Sequence, residues 1–361
     1  MKSAIRQKTV SRLRAAPVPP QTMRGLSMIE LMIALLLGLL VAAGAGTIFL
    51  SNKRAYGATE SLGRVQENAR VGFELMARDI REAGASLCGN DVQVANILND
   101  QTSPWWLSWG EGVHGYTGAL TDPMINPARP YATSNTQAAG RVPGTDALDM
   151  KGMADLGILV STKMPTASAD IDVNSTTGIN NNDVLMICDG SQMTIFQVTQ
   201  TPAGLKVQKN PGNGSPGNCT KGMGSPVSCT GPATGTPYLY GPNSIVAAPR
   251  GLRWYVGYNG RNGGKSLYRS ILKYVNATTV TDVPQEIAEG VSDMKLTFLS
   301  GLSGATAYQA ASAGTDWTKV TAVQIGLTLQ GNDRVSTSNA INSGTLQRQI
   351  SHVVTLRNRL P

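Results

Sequence analysis

The feature that most constrains this chain of 361 residues is the stretch from Leu26 to Leu50, whose 25 residues carry one formal charge, Glu30. At ~1.5 Å per residue, a helix of that length reaches roughly 38 Å, enough to span a bilayer core of ~30 Å with some tilt. Whatever the rest of the chain does, it must do so beside one helix that is apolar all round. The carboxylate is the anomaly. On insertion scales a charge at the centre of such a helix costs about 2.5–3.5 kcal/mol, and less near an interface.

The net charge of +8 looks like a nucleic-acid signal until it is located. Lys2, Arg6, Lys8, Arg12, Arg14 and Arg24 fall in the first 25 residues with no acid among them. Taking those six from 31 basic residues leaves 25 against 23 acidic ones, or +2. The remainder offers no basic stripe for DNA, and the basic leader would hold the N-terminus in the cytoplasm.

Three readings compete for the N-terminus. The apolar run could be a plain transmembrane anchor. It could be the core of a signal peptide, with Ala43-Gly44-Ala45 as an A-x-A-like cleavage site. Neither has a use for Glu30. The third reading accounts for both Glu30 and the glycine before the run. Gly25-Leu26-Ser27-Met28-Ile29-Glu30 resembles the cleavage motif of type IV prepilins, a glycine followed by a hydrophobic residue and a glutamate at the fifth place after the cut. The resemblance implies that a prepilin peptidase cuts between Gly25 and Leu26 and that Leu26 is N-methylated. It also implies that Glu30 serves assembly by pairing with the new ammonium of a neighbouring subunit. The leader is longer than many in that family.

Ala34, Gly38, Ala42 and Gly46 recur at i, i+4 spacing and make one flank of the run small, which lets helices approach closely in lipid. Small residues are also simply frequent in membrane helices. Beyond the run, Leu62, Val65, Ala69, Phe73, Met76, Ile80 and Ala83 keep a helical period on one face. Glu60/Arg64, Glu74/Arg78 and Arg78/Glu82 are i, i+4 pairs on the rest of the surface. Gly84 is a plausible stop. The division expected is a leader (1–25), a transmembrane and oligomerisation half-helix (26–50), an amphipathic half-helix (51–85) and a head (86–361).

In the head the signals change to short strands and turns, consistent with 40 Gly and 19 Pro. Strands are expected at Asp146–Lys151, Leu252–Tyr258, Ser266–Val275, Val291–Leu299, Val320–Gln330 and Gln347–Leu356, with a hairpin in Asp183–Thr199 turning at Asp189-Gly190. Strands in series without helices between them predict an α+β fold, an antiparallel sheet with the amphipathic helix on one face. The 205–245 stretch is expected to be a Gly/Pro-rich surface loop.

Cys88, Cys188, Cys219 and Cys229 allow three pairings, and disulfides are their natural use in an exported head. The short flexible segment between the last two favours Cys219–Cys229, and hence Cys88–Cys188. Trp105, Trp106 and Trp109 hold three of five tryptophans. They read as a local core under a long loop or as a surface contact.

Signatures of chemistry are weak. Residues 259–266, NGRNGGKS, nearly spell a phosphate-binding loop, but asparagine stands where the first glycine belongs and strand-like runs flank it. Asp170-Ile-Asp172-Val-Asn174 begins like a calcium loop, without glycine at the sixth place or glutamate at the twelfth. His114 and His352 are too few to suggest a metal. No enzyme activity and no cofactor are expected.

Several segments together resemble one family: ARDIREAG at the helix end, RWYVGYNGRNGGKSLYR, EGVSDMKLTF, DWTKVTAVQIGLTL and HVVTLRNRLP. They are similar to the PilW family of type IV pilus minor pilins, with GspJ-type pseudopilins of type II secretion the next relatives. The resemblance implies a single-pass inner-membrane protein with a periplasmic head that later joins the pilus, at or near its tip. Its partners would be the prepilin peptidase, other minor pilins, the major pilin, the inner-membrane assembly platform and a PilY-type tip adhesin. The rivals are a GspJ-like pseudopilin and a tip adhesin. No proline interrupts the apolar run, although many major pilins have one there.

Overall fold

The structure is a computed structural model that describes residues 25, 27–84, 87–89, 92–99, 111–119, 130–212, 214, 216–229, 235–276, 279–301, 307–334 and 345–357. Two units divide the chain at residues 53 and 54. Helix α1, Met28–Glu82, has residues in both.

In the first unit the helix keeps no side chain from solvent. Met28, Ile29, Leu35, Leu39, Val41 and Phe49 are all more than half exposed. Among the described residues this is the helix long and apolar enough to cross a membrane.

In the second unit the helix buries Ala58, Ser61, Val65, Ala69, Gly72, Met76, Ala77, Asp79 and Ile80. The periodic face expected from sequence is found at Val65, Ala69, Met76, Ile80 and Ala83, while Leu62 and Phe73 lie half-buried at its margins. The closest packing falls where the side chain is smallest. A Cβ at Gly72 would meet Leu267 Cδ2 at 3.2 Å and the Ala288 Cβ at 3.3 Å. Of the surface pairs, Arg78–Glu82 forms at 3.0 Å, whereas Glu74 turns to Arg70 at 3.4 Å. Exposed pairs of this kind contribute about 0.3–0.5 kcal/mol each.

Among the described residues thirteen strands follow: β1 (Gln93–Asn96), β2 (Val113–Tyr116), β3 (Ala147–Leu159), β4 (Ile171–Asp172), β5 (Val184–Cys188), β6 (Gln192–Gln197), β7 (Lys206–Val207), β8 (Ile245–Tyr258), β9 (Lys265–Asn276), β10 (Thr279–Glu289), β11 (Val291–Ser300), β12 (Val320–Arg334) and β13 (Thr345–Thr355). β8 lies at the centre of the large sheet. β3 pairs along it from Ile245 to Tyr255, and β5 and β9 pair with successive parts of it. The sheet runs outward through β2 on one side and through β6 and β1 on the other, while β10 closes onto β9. Its pairings are antiparallel except β1 with β6, which is parallel. β11, β12 and β13 form a second, antiparallel sheet, and β4 and β7 a two-stranded one.

The helix face, Trp254 and Val256 of β8, and the inner residues of β11 and β12 share one apolar core. A second core lies between residues 97 and 246 and includes Ile158, Ile187, Phe196, Met223 and Tyr240, with no residue from α1.

Between β7 and β8 the 205–245 stretch has no strand or helix among its described residues, as expected, but much of it is packed rather than lying on the surface. Asn218, Thr220, Met223 and Tyr240 are buried. Amides and a hydroxyl on β6 supply the hydrogen bonds that irregular backbone needs inside a protein. Gln192 Nε2 and Thr194 Oγ1 each donate to the Met223 carbonyl at 2.6 Å, and the Gln197 N–H donates to Asn218 Oδ1 at 2.7 Å.

Candidate functional site: the N-terminal helix and its fixing in the head

Ser27 opens α1. Its carbonyl accepts the Leu31 N–H at 3.1 Å, and its hydroxyl accepts the Glu30 N–H at 3.3 Å. Ser27-Met28-Ile29-Glu30 therefore has the S-x-x-E form of a capping box. A carboxylate in the first turn also gains about 0.3–1 kcal/mol from the helix dipole. Glu30 thus has a local physical use besides any partner, one that the sequence reasoning missed although the spacing was there to find it.

Gly25 is exposed and a Cβ there would touch nothing within 4 Å. Leu26 lies outside the described residues. Ala34, Gly38, Ala42 and Gly46 are exposed, and Cβ atoms at the two glycines would also meet nothing within 4 Å. Trp105, Trp106 and Trp109 lie outside the described residues. Cys88 pairs with Cys188 and Cys219 with Cys229, with Cα–Cα distances of 5.9 Å and 5.1 Å.

The other end of the helix is held by charge. Asp79, 5% exposed, accepts Trp254 Nε1 at 3.0 Å and Arg269 Nε at 2.7 Å on Oδ2, and Arg269 Nη2 at 3.0 Å on Oδ1. Arg250 reaches both Asp79, at 3.7 Å, and Glu82, at 3.4 Å. Asp79 belongs to ARDIREAG, and Trp254 and Arg269 to RWYVGYNGRNGGKSLYR. These motifs carried the family resemblance without a stated role, and the structure supplies one. They fix the helix to the large sheet through a carboxylate whose lone pairs are satisfied from two strands.

Next along β8, Arg253 is fully buried and forms a bidentate pair with Asp149, both contacts at 2.6 Å, with Asp282 at 3.5 Å. Burial pulls the guanidinium down, but the Asp149 carboxylate more than offsets it and holds Arg253 above its ordinary range. Tyr116 donates to Asp149 at 3.3 Å, and burial first and that carboxylate second push its phenol up. Lys151, also buried, is pushed down to about 8 by burial, against the pull of Glu111 and Asp149.

The NGRNGGKS stretch is the hairpin between β8 and β9. The Asn259 N–H donates to the Gly264 carbonyl at 2.9 Å, with Asn262 and Gly263 at φ +50° and +71°. A strand follows Ser266 where a phosphate-binding loop needs a helix. Ser266 and Arg261 both bind Glu286. Burial pushes that carboxyl up, but these hydrogen bonds and the Arg261 charge outweigh it and hold it low.

In the DIDVN stretch, Asp172 takes Lys206 at 2.5 Å and Thr162 at 2.7 Å, and Asn174 Oδ1 takes the Leu159 N–H at 3.0 Å. Its oxygens are committed to protein donors. His114 pairs with Glu111 at 2.9 Å, and His352 lies against Phe73 with ring centroids 4.2 Å apart. Among the described residues no group of three or more His, Cys, Asp or Glu is placed to hold a metal ion.

No curated protein gives a significant match to the chain. The family model described as PilW, Type IV Pilus-assembly protein W, matches residues 253–358. The match begins at the buried arginine of β8 and runs through β9 to β13, so it includes Trp254 and Arg269 of the helix clamp. Over this part of its head the chain is similar to the PilW family, and that similarity points to a role in the assembly of type IV pili.

Proposed function

We propose that the chain is a minor pilin, made as a membrane-inserted prepilin and cut after Gly25 by prepilin peptidase. Leu26 becomes the methylated N-terminus. The apolar helix stores the subunit in the inner membrane with the head in the periplasm, then packs laterally when the subunit is drawn into a filament. In the filament Glu30 pairs with the Leu26 ammonium of a neighbour, which offsets the desolvation of both charges. The subunit takes part in the start of assembly with other minor pilins and the major pilin, near the tip.

The observation that carries this reading is a helix with two environments. Its apolar stretch is exposed among the described residues, while its second stretch is built into a head whose residues 253–358 match a pilus-assembly family. Intact mass and terminal peptide mapping of the protein purified from its native membrane test it. The expected chain starts at Leu26 with one added methyl group. A start at Gly46 would mean a signal peptide, and an intact Met1 an unprocessed anchor; either sinks the reading.

A further inference from the structure

Lys209 is 2% exposed, and among the described residues no carboxylate touches its ammonium. Nζ donates instead to three backbone carbonyls, those of Ala167 at 2.6 Å, Ala169 at 3.2 Å and Lys221 at 3.4 Å. Ala167 and Ala169 lie in the loop that leads into β4, and Lys221 lies inside the loop closed by Cys219–Cys229. The charges facing the ammonium are Asp170, whose carboxylate is taken by Gln208 Nε2 at 3.1 Å, and the like charge of Lys221. An ammonium has three N–H donors and here finds three acceptors; a neutral amine would have two. Carbonyl oxygens converging on one positive centre are what a cation site consists of, and neutral oxygens suit a monovalent ion better than calcium, whose sites rely on carboxylates.

We propose that Lys209 is a built-in cation. Its ammonium fills a backbone-oxygen site of the size that ammonium or potassium would take, and so ties the loop before β4 to the disulfide loop without an ion from solution. The neighbouring DIDVN stretch follows the same logic, since the Lys206 ammonium stands on Asp172 where a calcium loop would place metal. The segment Lys206-Val207-Gln208-Lys209 thus supplies both cations from one short strand and the residues after it.

Two measurements on the full chain in detergent micelles test this. In the wild-type protein, competitive acylation read by mass spectrometry should label Lys209 at least about tenfold more slowly than exposed Lys319, because reaction needs local opening. Labelling at the rate of Lys319 overturns the proposal without any substitution. Lys209→Ala should lower the melting temperature, and methylammonium, ammonium or potassium chloride should restore at least about half the loss. Tetramethylammonium chloride at equal ionic strength, too large for the site, should restore none of it. Lys209→Met, which keeps the stem in place and blocks the site, should be destabilised and unresponsive to every salt. A Lys209→Ala protein as stable as wild type, or one that all four salts help equally, overturns the idea. Should Lys209→Ala fail to fold, the acylation result decides alone.

Discussion

The two stretches of α1 share a period and differ in what covers them. Between Met28 and Leu50 the large side chains Met, Ile, Leu, Val and Phe point into solvent on every side. From Ala58 onward the face buried in the head is mostly small, Ala58, Ser61, Ala69, Gly72 and Ala77 beside Val65, Met76 and Ile80, and Asp79 is the one charged residue it buries. Among the described residues the apolar stretch is exposed on all sides, whereas the less hydrophobic stretch buries one face. Hydropathy therefore does not tell which part of this helix is core. The size of the side chains on the inner face does, because a helix that must sit closely on a sheet needs Ala, Ser and Gly there.

The contrast can be broken at several points. The largest effect is expected from Asp79→Ala, which leaves Arg269 and Trp254 with buried donors unanswered and should cost about 3–5 kcal/mol of head stability in denaturant titration. A loss below 1 kcal/mol would mean that apolar packing alone holds the helix end. Gly72→Val comes next. It forces a branched side chain against Leu267 and Ala288 and should cost about 1–3 kcal/mol.

A pH series sharpens the electrostatic side. Lys151 is pushed down to about 8 when folded, so between there and its ordinary value near 10.5 the unfolded chain holds more protons and stability rises with pH. Tyr116 and Tyr240 act the other way. Burial raises both in the folded state, so their contribution is present below their ordinary value of 10.0 and is lost above it. The head should therefore be most stable near pH 10, in thermal melts kept short at the alkaline end. A stability that falls steadily above pH 8 would contradict the burial of Lys151. The smallest effect belongs to the exposed stretch, where Gly38→Leu should leave head stability within about 0.5 kcal/mol of wild type. A larger loss would show that the head senses the apolar helix.

What the sequence made legible was local. The long helix, its inner face and eight of the strands could be read because period and turn residues act over a few neighbours. β10 was missed since Pro284 and its charged residues argue against a strand, and only a place at a sheet edge makes them tolerable. The packing of 205–245 was missed because Gln192, Thr194 and Gln197, which satisfy it, read as ordinary polar positions of a hairpin. The helix clamp was hidden for the same reason on a larger scale. Asp79 meets partners 175 and 190 residues further on, and nothing in the spacing of a single chain announces such a pairing.

That clamp has a mechanical consequence. A pull entering the head along α1 does not meet the bonds between helix and sheets one after another. Ala58 through Ile80 are loaded together in shear, and the carboxylate near the end of the row, gripped from β8 and β9, resists sliding in either direction. The helix therefore behaves as a bar keyed into its socket, and tension on it is delivered to the central strand of the large sheet rather than spent in unpeeling the first turn.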